Sequence, residues 1–403
     1  MKRFASFSLL ILFAALFITN AGATIRRVGF IQTITPVPGF DYTTFQLAAN
    51  DAVNGDTIQL SPSTIGSGAA YSGTVNKRLV VIGPGYNTNS YNLYNPYSIS
   101  IANTGLNTLP GTVYNTTFTI GVGSAGSIFQ GLISPGFNTS NTLDSLNDIT
   151  IMRCRDVSVN FDNSGVCNNW IITQCIRVNV AQTGFGLSFT ANRSITNLRI
   201  ENCLGPRVGY TASGKQSPVG INSGQILNCV WYGNFQPTSI EHATMGTSHF
   251  NNSVFVIQNC IDGMGYLSSN NMYDVANTIF VNNHTTATAL NNFVATNPGS
   301  SGNVFSISIA GNSYFAGVPN NISGSTTLYS PDAAWQLSAS SPAKNAGFIP
   351  GTATPTDLGI YGGTNPYKPS GIAAIPTFYK FQASSSQATS SPYTVIFSVR
   401  NNN

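Results

Sequence analysis

A short phrase of apolar and polar residues recurs in the middle of the chain, over residues 149–312. In each copy an isoleucine stands three residues before a cysteine or an asparagine, as in Ile151 and Cys154 or Ile200 and Cys203. In most copies a second apolar residue lies two positions before the isoleucine, which is the two-residue period of a β-strand. The pattern predicts one short strand in each copy.

The last position of the phrase forms a column whose members are separated by 21 to 31 residues. The column contains Cys154, Cys175, Cys203, Cys229, Cys260, Asn282 and Asn312. Repeats of this length are typical of stacked units, none of which can bury its apolar face alone. A fixed strand with variable spacing indicates one ladder of parallel strands joined by loops of changing length. We therefore expect an all-β fold, a right-handed parallel β-helix of roughly ten coils, since parallel crossovers are almost always right-handed.

The first residues have the pattern of a targeting segment. Lys2 and Arg3 precede an apolar run over residues 4–18, and Ala21-Gly22-Ala23 follows. A basic start, an apolar core and an Ala-x-Ala site predict a signal peptide over residues 1–23. A membrane anchor is the alternative, but the run is short for a bilayer. We expect a secreted or cell-surface protein with no membrane span after cleavage.

The remaining chain divides into three predicted parts. Residues 24–55 form a lead-in and an N-terminal cap, in which Phe45, Ala48 and Ala52 lie on one face of a short helix. Residues 56–350 form the β-helix. Residues 351–403, with several prolines, form an irregular C-terminal cap, since a stack needs a cover at its apolar end.

Several motifs outside the repeat resemble secreted bacterial right-handed parallel β-helix proteins, whose fold is shared with pectate lyases. The opening motifs are the helix, then Gly55-Asp56-Thr57-Ile58-Gln59-Leu60, then Val80-Val81-Ile82-Gly83-Pro84-Gly85-Tyr86; the closing motifs are Ser341-Pro342-Ala343-Lys344-Asn345-Ala346-Gly347 and Asp357-Leu358-Gly359-Ile360-Tyr361-Gly362-Gly363. The resemblance covers nearly the whole mature chain and implies the fold, but it includes no catalytic motif.

Charged residues are unusually rare, at 7% of the chain against about 25% in ordinary soluble domains. The formal net charge is +4, of which Lys2 and Arg3 supply two, and no long basic run follows them. We therefore expect no nucleic-acid partner. The surface is wetted by Asn, Ser, Thr and Gly, and we expect a monomer that binds an extracellular, neutral polysaccharide.

The five cysteines of the column are expected to stack at one strand spacing, about 4.8 Å. Secretion would permit disulfides, but stacked side chains point the same way, which disfavours the torsion that a disulfide needs. We expect buried free thiols that act as small apolar groups. No Cys-x-x-Cys motif and no Cys/His pair has zinc-ligand spacing, so no metal site is predicted. Cys167 stands outside the column and is left unplaced.

The candidate site lies in the two longest departures from the strand phrase, Gly205–Asn222 and Trp231–Asn252. Long loops on a rigid stack are where function usually lies. The candidate ligand-binding residues are Trp231, Tyr232, Phe235, Arg207 and His249, and the candidates for acid–base chemistry are Lys215, Glu241 and His242. Ordinary packed turns remain the alternative interpretation.

Two functions of different classes are open. The first is a non-catalytic polysaccharide-binding or scaffold protein without a cofactor, consistent with the sparse charges. The second is a polysaccharide lyase or glycoside hydrolase that acts in a groove along the β-helix. This hypothesis is based on fold resemblance alone, which is weak evidence for function. Lyases of the fold would need Ca²⁺ held by clustered carboxylates, and hydrolases need facing carboxylates. The 13 acidic residues are scattered, with no Asp-Asp or Asp-x-Asp pair.

Overall fold

A computed structural model gives the structure of the chain. It describes residues 23–29, 41–60, 71–83, 85, 116–140, 145–161, 166–182, 194–210, 223–231, 254–262, 278–281, 284–285, 301–304, 314–316, 335–368, 377–383 and 395–400. The predicted signal peptide falls almost wholly outside these ranges.

The largest sheet, sheet A, has ten parallel strands, and each belongs to a successive coil. In chain order they are β1 (Ile25–Val28), β2 (Thr57–Leu60), β4 (Val80–Ile82), β6 (Ile128–Gln130), β9 (Thr150–Met152), β12 (Ile171–Thr173), β15 (Leu198–Glu201), β17 (Ser223–Leu227), β19 (Val254–Gln258) and β21 (Thr278–Val281). Because the neighbours in the sheet are one coil apart in the chain, every connection is a crossover. The prediction of a parallel β-helix of about ten coils is confirmed.

The second large sheet, sheet C, has nine parallel strands. They are β3 (Gly73–Val75), β5 (Thr117–Ile120), β7 (Gly136–Thr139), β10 (Arg155–Asn160), β13 (Ile176–Gln182), β16 (Leu204–Tyr210), β18 (Val230–Trp231), β20 (Ile261–Asp262) and β22 (His284–Thr285). Three coils add a third side, sheet D, made of β8 (Leu146–Asn147), β11 (Val166–Asn168) and β14 (Ser194–Thr196). Antiparallel pairs join β23 (Gly347–Phe348) to β24 (Pro355–Thr356) and β25 (Thr377–Ala383) to β26 (Val395–Arg400).

Each of five successive coils turns from sheet A into sheet C through a two-residue corner. The first corner residue has a positive φ between 51° and 58°, and the second is the cysteine of the repeated phrase. The first residues form what we call the corner column: Arg153, Gln174, Asn202, Asn228 and Asn259. The first four of these residues donate their backbone N–H groups to the next coil, as Asn202 does to the Leu227 carbonyl at 3.0 Å. The ladder therefore continues around the bend with its backbone groups paired.

The five cysteines that follow the corner column are buried thiols rather than disulfides, so the prediction of an interior thiol column is confirmed. Each thiol donates to the carbonyl two residues earlier, at 3.2–3.3 Å. Burial raises the pKa of Cys154, Cys175 and Cys229 well above the ordinary thiol value, which keeps them protonated. At Cys203 burial acts in the same direction, but hydrogen bonds with Cys175 and Cys229 outweigh it and lower the pKa to about 5. The structure also places Cys167, which is buried in β11 beside Ile195 of β14.

The interior near the N-terminal end is a cluster of aromatic rings. Phe118 lies 5.1 Å from Phe129 and 5.6 Å from Phe137 between ring centroids. Phe45, on helix α1 (Phe45–Asp51), meets Phe118 edge-on at 5.1 Å. Thr44 caps the helix by accepting from the Leu47 N–H. The helix thereby covers the apolar end of the stack and continues its core, as the sequence pattern predicts.

A buried carboxylate ties the N-terminal strand to this cap. Asp56 accepts from the backbone N–H of Thr24 at 2.8 Å and of Val53 at 3.0 Å, and it pairs with the Arg26 guanidinium at 2.9 Å. Burial alone would raise the pKa of Asp56, but the Val53, Thr24 and Arg26 hydrogen bonds together hold it below its ordinary value. The ionised form is therefore the one that the fold stabilises.

A segment near the C-terminus, residues 343–368, lies along the side of the stack; we call it the strap. Leu358, Ile360 and Tyr367 of the strap are buried in one cluster with outward-facing residues of sheet C, Ile176, Leu204, Val230 and Ile261. Ala343, Trp335 and Phe315 extend the same cluster. The strap therefore gives the corner side of the β-helix a second, smaller apolar core.

No helix in the described ranges is long and apolar enough to span a membrane.

Replacing Asp56 with Asn should lower the free energy of unfolding at neutral pH by about 2 kcal/mol, because two N–H groups and a guanidinium lose a charged acceptor. The pKa of Asp56 is lowered on folding, so its contribution is present above the ordinary aspartate pKa of about 4 and is lost as the pH falls through the lower folded value. Urea unfolding of both proteins should show the difference shrinking as the pH falls below the ordinary aspartate pKa of about 4. Asp41→Asn, at an exposed carboxylate, is the control, and a difference that does not depend on pH would contradict the prediction.

Candidate functional site

The two long connections singled out in the sequence begin and end on neighbouring strands. β16 and β18 are adjacent in sheet C, with Leu204 opposite Val230. β17 and β19, which receive the connections, are adjacent in sheet A, with Ser223 opposite Val254. The strands that precede residues 211–222 and 232–253 are therefore one rung apart, and so are the strands that follow them.

In the three preceding coils, the same passage from sheet C to sheet A contains the strands of sheet D. Their inward residues, Leu146, Cys167 and Ile195, are buried. Their outward residues are polar and half-buried: Asn147, Asn168 and Thr196. Sheet D is thus a flat polar surface, three rungs long, that ends at the coils carrying the two long connections. We call this surface the floor.

The floor side chains are bonded to one another along the axis. The Asn168 amide donates to the Asn147 Oδ1 at 3.2 Å, and the Thr196 hydroxyl donates to the Asn168 Oδ1. These bonds leave further amide N–H groups and oxygen lone pairs at the surface. The row can therefore exchange hydrogen bonds with a polar, uncharged ligand without rearranging.

A second polar row runs beside the floor, where each coil turns from sheet D into sheet A. Asp148, Asn169 and Asn197 are exposed and have positive φ values of 54–58°. The Asn169 amide donates to the Asp148 Oδ1 at 3.0 Å, and the Asn197 amide donates to the Asn169 Oδ1 at 3.1 Å. The Asn197 backbone N–H donates to the Ser223 hydroxyl at 2.9 Å. This row leads from the floor to the strand that ends the first long connection.

Most of the sequence-predicted site residues lie outside the described residues: Tyr232, Phe235, His249, Lys215, Glu241 and His242. Two lie in strands. Trp231 is the last residue of β18, with its backbone paired to Asp262. Arg207 lies in β16, paired to Asn179. The grouping of these residues as one site stays a prediction.

The carboxylates whose side chains the structure describes have structural partners. Asp56 and Glu201 pair with arginines, Arg26 and Arg199. Asp357 accepts from a backbone N–H, Asp51 from the Tyr42 hydroxyl and Asp148 from Asn169. In the described ranges no three His, Cys, Asp or Glu side chains are grouped as metal ligands. Near the long connections, these ranges offer amide and hydroxyl groups for hydrogen bonding.

Sequence reasoning missed the floor and its neighbouring row. Asn147-Asp148, Asn168-Asn169 and Thr196-Asn197 do form a repeat, each just before an apolar strand of sheet A. The signal was visible as a polar pair before the repeated phrase. It is hard to distinguish from ordinary Asn-rich turns without the register that stacks it.

No protein-family model and no curated protein matches the chain. Among solved structures, the crystal structure of pectate lyase Pel9A is similar, at 13% sequence identity and a TM-score of 0.35. The match covers 84% of this chain and 97% of that one. At this level of similarity the match supports neither the fold nor an activity beyond what the strand register itself shows.

Proposed function

We propose that the protein is a secreted or cell-surface β-helix that binds an extracellular polysaccharide as a monomer, without catalysis and without a cofactor. The observation that carries the proposal is the strand register. The strands before the two long connections, β16 and β18, are neighbours, and so are the strands after them, β17 and β19. This register supports one shared face for the aromatic and basic residues of these connections. Aromatic rings and hydrogen-bonding groups together suit the apolar C–H face and hydroxyl edge of a sugar.

The charges near this face favour a neutral polysaccharide. The floor consists of two amides and a hydroxyl, and the neighbouring row adds two more amides and Asp148. Asp148 would repel the carboxylates of a pectin-like chain. The amides and the hydroxyl of the floor are donors and acceptors of the kind that the hydroxyl groups of an uncharged glycan complement.

The main test is a triple variant, Trp231→Ala with Tyr232→Ala and Phe235→Ala, applied to an array of neutral and acidic polysaccharides. Removing three rings should weaken retention of neutral glycans about tenfold or more, a change of roughly 1.4 kcal/mol or more in binding. Phe348→Ala is the matched control, because this ring is 44% exposed and lies on the strap. Retention that survives the triple variant would place the site elsewhere.

Product analysis separates binding from catalysis. Polysaccharides that bind should be recovered without new reducing or unsaturated ends after long incubation. Glu241→Gln, His242→Ala and Lys215→Ala should each leave the products unchanged. Release of shortened chains that these variants abolish would instead establish a lyase or hydrolase, and a requirement for added Ca²⁺ would favour the lyase.

The contribution of the floor is tested by Asn168→Leu. This change removes the amide between Asn147 and Thr196 and should weaken glycan retention about threefold to tenfold, since one hydrogen bond is worth about 1 kcal/mol. Asn54→Leu is the matched control: it removes a hydrogen bond of 2.9 Å to the Arg78 N–H beside the N-terminal cap. Equal retention by the two variants would remove the floor from the site.

A further inference from the structure

Besides its apolar contacts with sheet C, the strap is hydrogen-bonded to side chains of the corner column. The Asn202 amide donates to the carbonyls of Ile360 at 2.8 Å and Gly362 at 2.7 Å. The Gln174 amide donates to the Asn365 Oδ1 at 2.7 Å and the Pro366 carbonyl at 2.8 Å. None of these bonds belongs to the ladder of sheet A or sheet C. The strap can therefore leave the stack while both ladders stay paired.

The strap approaches the corner closely enough to hold it in place. A side chain at Gly363 would collide with the Asn228 amide, and one at Gly359 would lie 2.8 Å from Val230. Both glycines have positive φ values, 75° and 81°. The backbone of the strap therefore packs directly on the corner, in a conformation that few other residues adopt.

This cover restrains three residues of the corner column, Gln174, Asn202 and Asn259. Residues with side chains are strained at positive φ, and arginine and glutamine more than asparagine. Such strain persists where the surroundings over-determine the backbone. Around Gln174, Asn202 and Asn259, the amide bonds to strap carbonyls supply that restraint. Opening the strap relieves strain in the corner but exposes apolar residues of sheet C, so the two effects oppose each other.

The thiol column lies directly behind the covered corner. Cys175, Cys203 and Cys260 each follow a residue whose amide bonds to the strap, and all are fully buried. Cys167 is equally buried but lies on sheet D, in a coil side to which the strap makes none of these bonds. The chain thus contains thiols beneath the strap and one reference thiol away from it.

We propose that the strap is a lid that opens as a unit and controls the reactivity of the thiol column. Closed, it keeps thiol reagents from reaching Cys175, Cys203 and Cys260, which are fully buried. Open, it loosens the strained corner and admits thiol reagents while the sheets remain paired. Local openings of this kind, below the free energy of global unfolding, are general in proteins.

The experiment is native-state alkylation of the full chain with iodoacetamide, with each cysteine followed by peptide mass spectrometry. Ile360→Ala truncates a strap side chain that is 1% exposed but leaves its carbonyl in place. Labelling of Cys175, Cys203 and Cys260 should become at least tenfold faster, and labelling of Cys167 should not change. Circular dichroism should show that the β-helix remains folded.

Ile58→Ala is the matched control, an equal truncation of a buried isoleucine in β2, away from the strap. It should leave the ratio of strap-covered to Cys167 labelling unchanged. Two results would overturn the proposal: Ile360→Ala leaving the rates of the three thiols unaltered, or Cys167 accelerating in step with them. The second result would mean that the thiols react only through global unfolding.

Discussion

The two-residue corner between sheets A and C is the constraint on which the rest of the structure depends. It bends the chain sharply while four of the corner N–H groups, those of Arg153, Gln174, Asn202 and Asn228, still donate to the next coil. The ladder therefore continues through these corners. A positive φ at Asn202 or Asn259 makes this geometry reachable, and asparagine tolerates it better than most residues. The cysteine that follows is small enough to sit inside the bend. The thiol column is thus a consequence of the corner rather than a separate device.

The strands could be predicted because their signal is local. An isoleucine three residues before a cysteine marks a buried strand and its bend in every copy, whatever the length of the loop between copies. The corner column stands one residue before the cysteines, but its conformation was not predictable, since Arg153, Gln174 and Asn202 share no side-chain type. What they share is a positive φ and burial.

The strap and the floor are the parts that sequence could not supply. Gln174 and Asn365 are 191 residues apart, and nothing periodic connects them. The floor repeats, but its asparagines look like turn residues until the strands of sheet D are aligned. The residues expected to bind sugar were predicted from their chemistry. The structure describes only the strands that flank the segments in which most of them lie. The sequence pattern predicts local structure, whereas contacts between residues far apart in the chain can be identified only once the strands are aligned in the fold.

The strap follows in the chain every coil that it covers. Bonds such as Asn202 to Ile360 close a loop of 158 residues, and loops of this length form slowly because their chain entropy must be lost first. During synthesis the coils are complete before the strap, so their strands can pair early. The strap can pack on the corners only after residue 367 has been synthesised. Until then the strands of the middle coils are paired, but the strap is not yet bonded to their corners. The order of residues along the chain therefore delays docking of the strap on the corner column until the coils that it covers have formed.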